Sequence, residues 1–523
     1  MQRRVNYEPL SPLHFLERSA YAFPEKTAVI YENTSYSYAQ FKDRVCRLAT
    51  ALKKRGIGKD DKVAFLCPNI PQTLEAHQGV PLLSAILVTI NIRLSPQEIS
   101  YILQDSGSKI LFVDTELAPS IQPVMDEIKG IEIVNVCDVQ GKAFDAPDYE
   151  EFIDVEPEEF HFGVDDELQP ITINYTSGTT GMPKGVIYSH RGAYLNALSE
   201  VYEYHIHHRS KYVWTLPMFH CNGWCHTWGV NAPGATHICL RKVVPEDIFA
   251  AISRNRATHL CGAPVVLSAM ADYASKNPVD VPEGFIINTA GAPPSPAIIR
   301  QMESIGCNVT QSYGLTEVYG PHSFCAWKEE WDDLPTEERA KIKARQGVPY
   351  VTTNYMDVVD IDTMQPVPHD GKTIGEIVMW GNNVMLGYHN KPEETEKAFH
   401  GGVFHSGDLA VTHPDGYVEI KDRLKDIIIS GGENISSVEV ENVLYEHPDI
   451  LEVAVVGMPH EKWQEVPKAY IKLKEGAQVT ADEIQNFCKE RIAKFKVPKE
   501  IEFGELPKTA TGKIQKHRLR SGK

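Results

Sequence analysis

The sequence is short of positive charge. Lysine and arginine number 52 against 70 aspartates and glutamates, a net charge of −18 over 523 residues. Nucleic-acid backbones require clustered cations, so a nucleic acid is excluded as the main partner. Anionic small molecules are not, because a few local cations and backbone N–H groups hold them. Long apolar runs are missing too. The longest, residues 80–92, falls short of the about 20 residues that a membrane-spanning helix needs. The first twenty residues contain no apolar core of a signal peptide. The ten cysteines are scattered and read as reduced thiols of a cytoplasmic enzyme, not as a disulfide framework. His220, Cys221, Cys225 and His226 crowd together, yet no second cysteine pair lies nearby to complete a zinc site. Neither an internal repeat nor a low-complexity tract is present.

What is there alternates between strand and helix patterns. "TAVIYENTSYSYAQF" predicts two short strands around Asn33. Phe41, Val45, Leu48 and Leu52 then recur at helical spacing, and Gly56 and Gly58 end the helix. "KVAFLC" and "KILFVD" read as strands. Residues 145–167 hold eleven acidic residues and no lysine or arginine, the pattern of a solvated linker. After residue 350 the texture turns to β. A tail of two helical and two strand patterns then predicts a small α+β domain behind a much larger α/β one.

One loop stands out. "NYTSGTTGMPKGVIYSH" (174–190) offers Thr176, Ser177, Thr179 and Thr180 as donors and Gly178 and Gly181 for tight turns. Lys184 adds a point charge. Glycine here brings backbone N–H groups close to an anion such as a phosphate. The loop is not a P-loop, because Lys184 is followed by Gly185 and a strand pattern, not by a hydroxyl residue and a helix. Composition alone leaves two readings open: a phosphate cradle or a surface turn between strands.

The order of further motifs decides between them. "QSYGLTE" (311–317), "HSGD" (405–408), "DRLKD" (422–426) and "PKTATGKI" (507–514) follow the loop. With it they resemble, in sequence and order, the adenylate-forming superfamily of acyl-CoA synthetases, peptide-synthetase adenylation domains and luciferases. "FHCNGW" and "ISGGENISSVEVENV" are most similar to its plant-type short-chain and benzoate acyl-activating branch.

The resemblance implies a large N-terminal domain with mixed sheets (1–421), a hinge (422–425, with Lys425) and a mobile C-terminal domain (426–523). It implies ATP, coenzyme A and Mg²⁺ as cofactors, a carboxylic acid as substrate, and a homodimer as a common assembly. Lys513 matches the adenylation lysine. Thr176, Lys184 and Thr316 match phosphate contacts, and Glu317 matches the magnesium-binding acid. Ser177, Gly178, Thr179, Thr180 and Gly181 form the phosphate loop. Gln311, Ser312, Tyr313 and Gly314 bind the nucleotide, with Tyr313 stacking on the adenine and Gly291, Ala292 and Pro293 lying along its other side. Asp408 and Arg423 hold the ribose and phosphate. Ser430, Gly431 and Gly432 line a pantetheine tunnel after the C-terminal domain rotates. His220, Asn222 and Trp224 wall the acyl pocket, with His220 an aromatic gate and not a base.

A short- to medium-chain aliphatic acid such as butyrate is the expected substrate. The alternatives are a hydroxy acid (4-hydroxybutyrate, 3-hydroxypropionate) or a benzoate-type acid. Another acceptor, such as a carrier-protein thiol, and a nucleotide-sensing module without turnover are the competing readings.

Overall fold

The apolar period that begins at Phe41 folds into the helix Tyr38–Lys54. It buries Phe41, Val45, Leu48 and Leu52, and Ser37 and Gln40 close a capping box at its start. The computed structural model describes residues 5–176, 182–291, 296–430, 433–460, 463–509 and 512–521. Two large sheets carry the N-terminal part. In the first, Pro170–Thr176, Ile86–Thr89, Lys62–Leu66, Ser108–Asp114 and Glu132–Val136 run parallel. Their near-continuous apolar runs fit strands covered on both faces. Lys184–Ser189 and Gly387–Tyr388 extend this sheet in antiparallel fashion.

In the second sheet Thr27–Tyr31, Thr236–Cys239, Lys211–Val213, His259–Gly262, Phe285–Thr289 and Cys307–Leu315 are parallel. Open parallel sheets bind ligands outside the carboxyl ends of their strands. The glycine loop leaves one sheet at such an end, and the Gln311–Glu317 motif occupies another. Tyr188 and Tyr319, stacked with ring centroids 4.0 Å apart, join the two.

A four-stranded antiparallel sheet follows, of Tyr355–Val359, Gly375–Trp380, Phe404–Thr412 and Val418–Arg423. From Ile428 onward the chain builds a separate five-stranded sheet and the helices Ser437–Tyr445 and Ala481–Lys489. Ile428, Val440, Leu444, Val455, Ile471 and Ile484 form its own core. The architecture is therefore a large α/β N-terminal domain and a small α+β C-terminal one.

The acidic stretch is not the solvated linker expected. Its helix Tyr149–Ile153 buries Tyr149, Phe152 and Ile153. Glu150 pairs with Arg44 at 2.6 Å and Glu158 with Lys53 at 2.5 Å, and the Arg47 guanidinium donates to the Val155 carbonyl at 2.7 Å. Several of the cations that meet the stretch come from the helix Tyr38–Lys54, distant in sequence, while Lys142 pairs with Glu151 from close by. Arg44 also contacts fully buried Glu75 at 2.6 Å, and the Tyr149 hydroxyl donates to the same carboxylate at 2.5 Å. Breaking one side of a buried pair strands a charge. Arg44→Ala is thus expected to cost about 3 kcal/mol of stability in urea unfolding at neutral pH.

Candidate functional site

The glycine loop springs from a paired base. Thr176 lies opposite Lys184 on antiparallel strands, and its hydroxyl donates to the Lys184 carbonyl at 3.4 Å. Ser177, Gly178, Thr179, Thr180 and Gly181 lie outside the described residues. The Lys184 ammonium pairs with Glu394 and sits 5.0 Å from the ring centroid of Tyr388. The Tyr388 hydroxyl donates to Glu317 Oε1 at 2.8 Å. Tyr388 therefore couples the loop lysine to the motif acid, and burial pushes the Glu317 carboxyl above its ordinary pKa. Neither Tyr388 nor Glu394 was singled out from the sequence. The signal available was Gly387–Tyr388, a short glycine-led strand that adds to the Lys184–Ser189 edge.

"QSYGLTE" closes the strand Cys307–Leu315 and turns at Thr316–Val318. Gln311 and Ser312 are buried, and the Gln311 amide donates to the Ser312 carbonyl at 2.9 Å. The Ser312 hydroxyl donates to Asn288 at 2.9 Å and contacts the Tyr204 hydroxyl. Gly314 has a steric reason: a Cβ there would lie 1.7 Å from the Gly320 carbonyl oxygen on the neighbouring strand. Thr316 is buried, its hydroxyl 3.5 Å from the Cys221 thiol. Gly291 has φ +92° just past the strand Phe285–Thr289, whereas Ala292 and Pro293 lie outside the described residues.

Asp408 is buried on the strand Phe404–Thr412, directly opposite Arg423. The Tyr313 hydroxyl donates to its Oδ2 at 2.8 Å, and Arg423 Nε lies 3.2 Å from its Oδ1. Both oxygens are thus already oriented by donors, and the carboxylate retains acceptor sites for two more. Burial and the neighbouring Asp408 charge raise the Tyr313 phenol well above its ordinary pKa, so it stays a donor.

The segment after His220 has an unforeseen conformation. Cys221, Asn222, Gly223, Trp224 and Cys225 all have φ between +50° and +63°. A left-handed turn costs L-residues about 1–2 kcal/mol each, so packing must hold it. Asn222 donates to Thr172 Oγ1 at 2.9 Å, Gly223 lies against the Trp214 ring, and Trp224 packs on Gly320. Trp224 is thereby a core side chain that also backs the Thr316 turn. His220 is half-buried, and burial, then the charge of Lys513, lowers its pKa to about 4.

Lys513 is carried into this site by the C-terminal domain. It is half-buried within electrostatic range of Arg423, Asp408, Asp426 and Lys425. Burial first, then Arg423, brings its pKa down to about 7. Lys425 is exposed between two attachments. On one side the Leu424 N–H donates to Gly407 at 3.0 Å, and on the other Asp426 pairs with Arg520 at 2.7 Å. Ser430 is half-buried and pairs with Gln464, while Gly431 and Gly432 lie outside the described residues.

The sequence profile described as AMP-binding enzyme matches residues 16–389, and that of the AMP-binding enzyme C-terminal domain matches residues 439–513. The chain belongs to this family. A 4-hydroxybutyrate–CoA ligase of Metallosphaera sedula is 48% identical across 98% of this chain and 95% of its own length. An acetate/butyrate–CoA ligase of Arabidopsis thaliana, AAE7, described as peroxisomal, is 46% identical across 99% and 95%. Among solved structures, the anthranilate CoA ligase AuaEII superposes with a TM-score of 0.88 at 25% identity, covering 99% and 98% of the two chains. The o-succinylbenzoate CoA synthetase of Bacillus subtilis gives 0.81 at 28%, covering 97% of each.

This AMP-binding enzyme is an adenylate-forming acyl-CoA synthetase, an acid–thiol ligase whose substrates include ATP and coenzyme A. Among the described residues no helix is long and apolar enough to cross a membrane. The cytoplasmic placement expected from the sequence gains no support from the relatives' names.

Proposed function

We propose that the enzyme activates a short aliphatic acid, butyrate before others, through a two-step reaction in one site. The proximity of Lys513 to Asp408, Arg423 and His220 carries this reading. In the first step a carboxylate oxygen attacks the α-phosphorus of ATP and the α–β anhydride bond breaks, releasing pyrophosphate. Two anions must meet, so positive charge at their junction lowers the barrier. Lys513 supplies it, bridging the acid's oxygen and the α-phosphate. Lys184, Thr176 and Thr316 hold the phosphates, Tyr313 faces the adenine, and Asp408 with Arg423 holds the ribose.

Mg²⁺ fits Glu317. Its carboxylate is a hard oxygen donor with one oxygen engaged by Tyr388, and magnesium binds through one or two carboxylates plus substrate phosphates. When bound, the ion neutralises charge on the departing pyrophosphate.

In the second step the sulfur of coenzyme A attacks the acyl carbon, the bond to AMP breaks, and the thiol proton leaves to solvent. Burial, the larger cause of the lowered His220 pKa, disfavours a protonated ring, which supports its reading as an aromatic gate. Lys513 must vacate the path. Residues 422–425 serve as the hinge between 1–421 and 426–523, and Ser430, Gly431 and Gly432 line the tunnel afterwards. The attachments on either side of Lys425 support a pivot there.

A second acid, 4-hydroxybutyrate, is favoured by the name of the Metallosphaera relative. Pyrophosphate release measured across a dozen carboxylates tests the assignment. Higher kcat/KM for butyrate or 4-hydroxybutyrate than for benzoate is expected, and a preference for benzoate overturns it. Supplying the adenylate with coenzyme A or a carrier protein tests the acceptor. Asp408→Ala leaves Arg423 and Tyr313 facing an empty acceptor position. The KM for ATP is expected to rise by about ten- to a hundredfold in the pyrophosphate assay, the scale of a charged hydrogen bond.

A further inference from the structure

Thr509, Gly512 and Lys513 are tied to one another by hydrogen bonds. The Gly512 N–H donates to the Thr509 carbonyl at 2.9 Å, and the Thr509 N–H to the Lys513 carbonyl at 2.7 Å. The Lys513 N–H donates to the Thr509 hydroxyl at 3.1 Å, and Lys508 bridges to Ile514. Both ends are tied into the C-terminal domain, Lys508 to Glu452 at 2.6 Å and Lys516 to Glu441 at 2.7 Å. Lys513 is thereby tethered to its own domain on both sides. What then sets where Lys513 stops?

Gly512 touches the N-terminal domain. Its φ is +81°, and a Cβ built on it would lie 2.2 Å from Val265 Cγ1 and 4.0 Å from the Ala263 Cβ. Ala263 and Val265 form the start of the helix Pro264–Lys276. Elsewhere this helix is separated from the C-terminal domain by clefts. One of about 500 Å³ is lined by Val265, Asp272, Leu451 and Lys508. Another of about 340 Å³ is lined by Asp272, Gln301, Tyr445 and Leu451. The close approach of Gly512 to Val265 is thus a local stop beside open space, one residue from the adenylation lysine.

We propose that Gly512 and Val265 form a docking seat that positions Lys513 for adenylation and is vacated for thioester transfer. Gly512 is a positioning residue: its missing side chain lets the loop close until Lys513 faces Asp408 and His220. The inference rests on the reading of Lys513 given above, and the measurements separate the two.

Pyrophosphate release and acyl-CoA formation from supplied acyl-AMP are followed for wild type, G512A, V265A and G512A/V265A. G512A is expected to lower the first by about thirtyfold and the second by less than about twofold. Truncating Val265 leaves its Cβ 3.5 Å away, an ordinary contact. The double variant should therefore recover at least about fivefold of the loss, the remainder reflecting a side chain at positive φ. V265F fills the seat from the other domain with the loop untouched, and the same split is expected. A double variant no better than G512A, a V265F enzyme that matches wild type, or equal loss in both half-reactions overturns the seat. A wild-type enzyme that makes acyl-CoA from acyl-AMP while K513A adenylates normally overturns the reading of Lys513 instead.

Discussion

Replacing Lys513 by alanine is expected to lower pyrophosphate release about a thousandfold, while acyl-CoA formation from supplied acyl-AMP stays within about threefold of wild type. Removing one preorganised group that stabilises developing charge costs about 10²–10³ in rate. A full positive charge between two anions belongs at the upper end of that range. The second step starts with the acid already activated and, on the proposed mechanism, proceeds with this side chain withdrawn. Equal losses in the two assays contradict the assignment.

The pH profile gives an independent check. Burial and Arg423 bring the Lys513 pKa from 10.5 to about 7. The protonated form is the useful one, so the proton is lost as pH rises through 7. In the free enzyme kcat/KM for adenylation should accordingly fall on the alkaline side of about 7. Lys513→Arg keeps its proton at every such pH. Its rate is expected to be low for geometric reasons, but the alkaline limb should vanish.

Much of this site was legible because the motifs are local. "QSYGLTE" and "HSGD" each lie within a few residues, and the helical period from Phe41 needed no partner to be read. Long-range pairing was not legible. Lys184 and Glu394 are 210 residues apart, and nothing near Lys184 announces that its charge is met there or that Tyr388 links it to Glu317. The acidic stretch misled for the same reason, since Arg44 and Lys53, which meet Glu150 and Glu158, belong to a helix about a hundred residues earlier. The left-handed turn Cys221–Cys225 was invisible on different grounds. It contains only one glycine, and its conformation is imposed by Trp214, Gly320 and Thr172 against the preference of its own residues. Local propensity allows Asn222 and Gly223 there but not Cys221, Trp224 and Cys225, and packing overrides it.

Glu317→Gln separates a metal ligand from a structural acid. The amide retains an oxygen that accepts the Tyr388 hydroxyl, so the link to the Lys184 side survives. What disappears is the negative charge. Burial holds the Glu317 carboxyl above its ordinary pKa, so its contribution to stability is full at low pH and fades as pH rises through the raised value. At neutral pH the neutral amide should therefore not lower the Tm. Catalysis should respond in the opposite sense. If magnesium is held through Glu317 and the nucleotide as proposed, it loses that charged ligand, so pyrophosphate release should fall by about a hundredfold. The Mg²⁺ concentration for half-maximal rate should rise about tenfold, and transfer from supplied acyl-AMP should be unaffected, because no pyrophosphate departs in that step. An activation curve that overlays wild type would place the ion on other groups and leave Glu317 as a partner of Tyr388 alone.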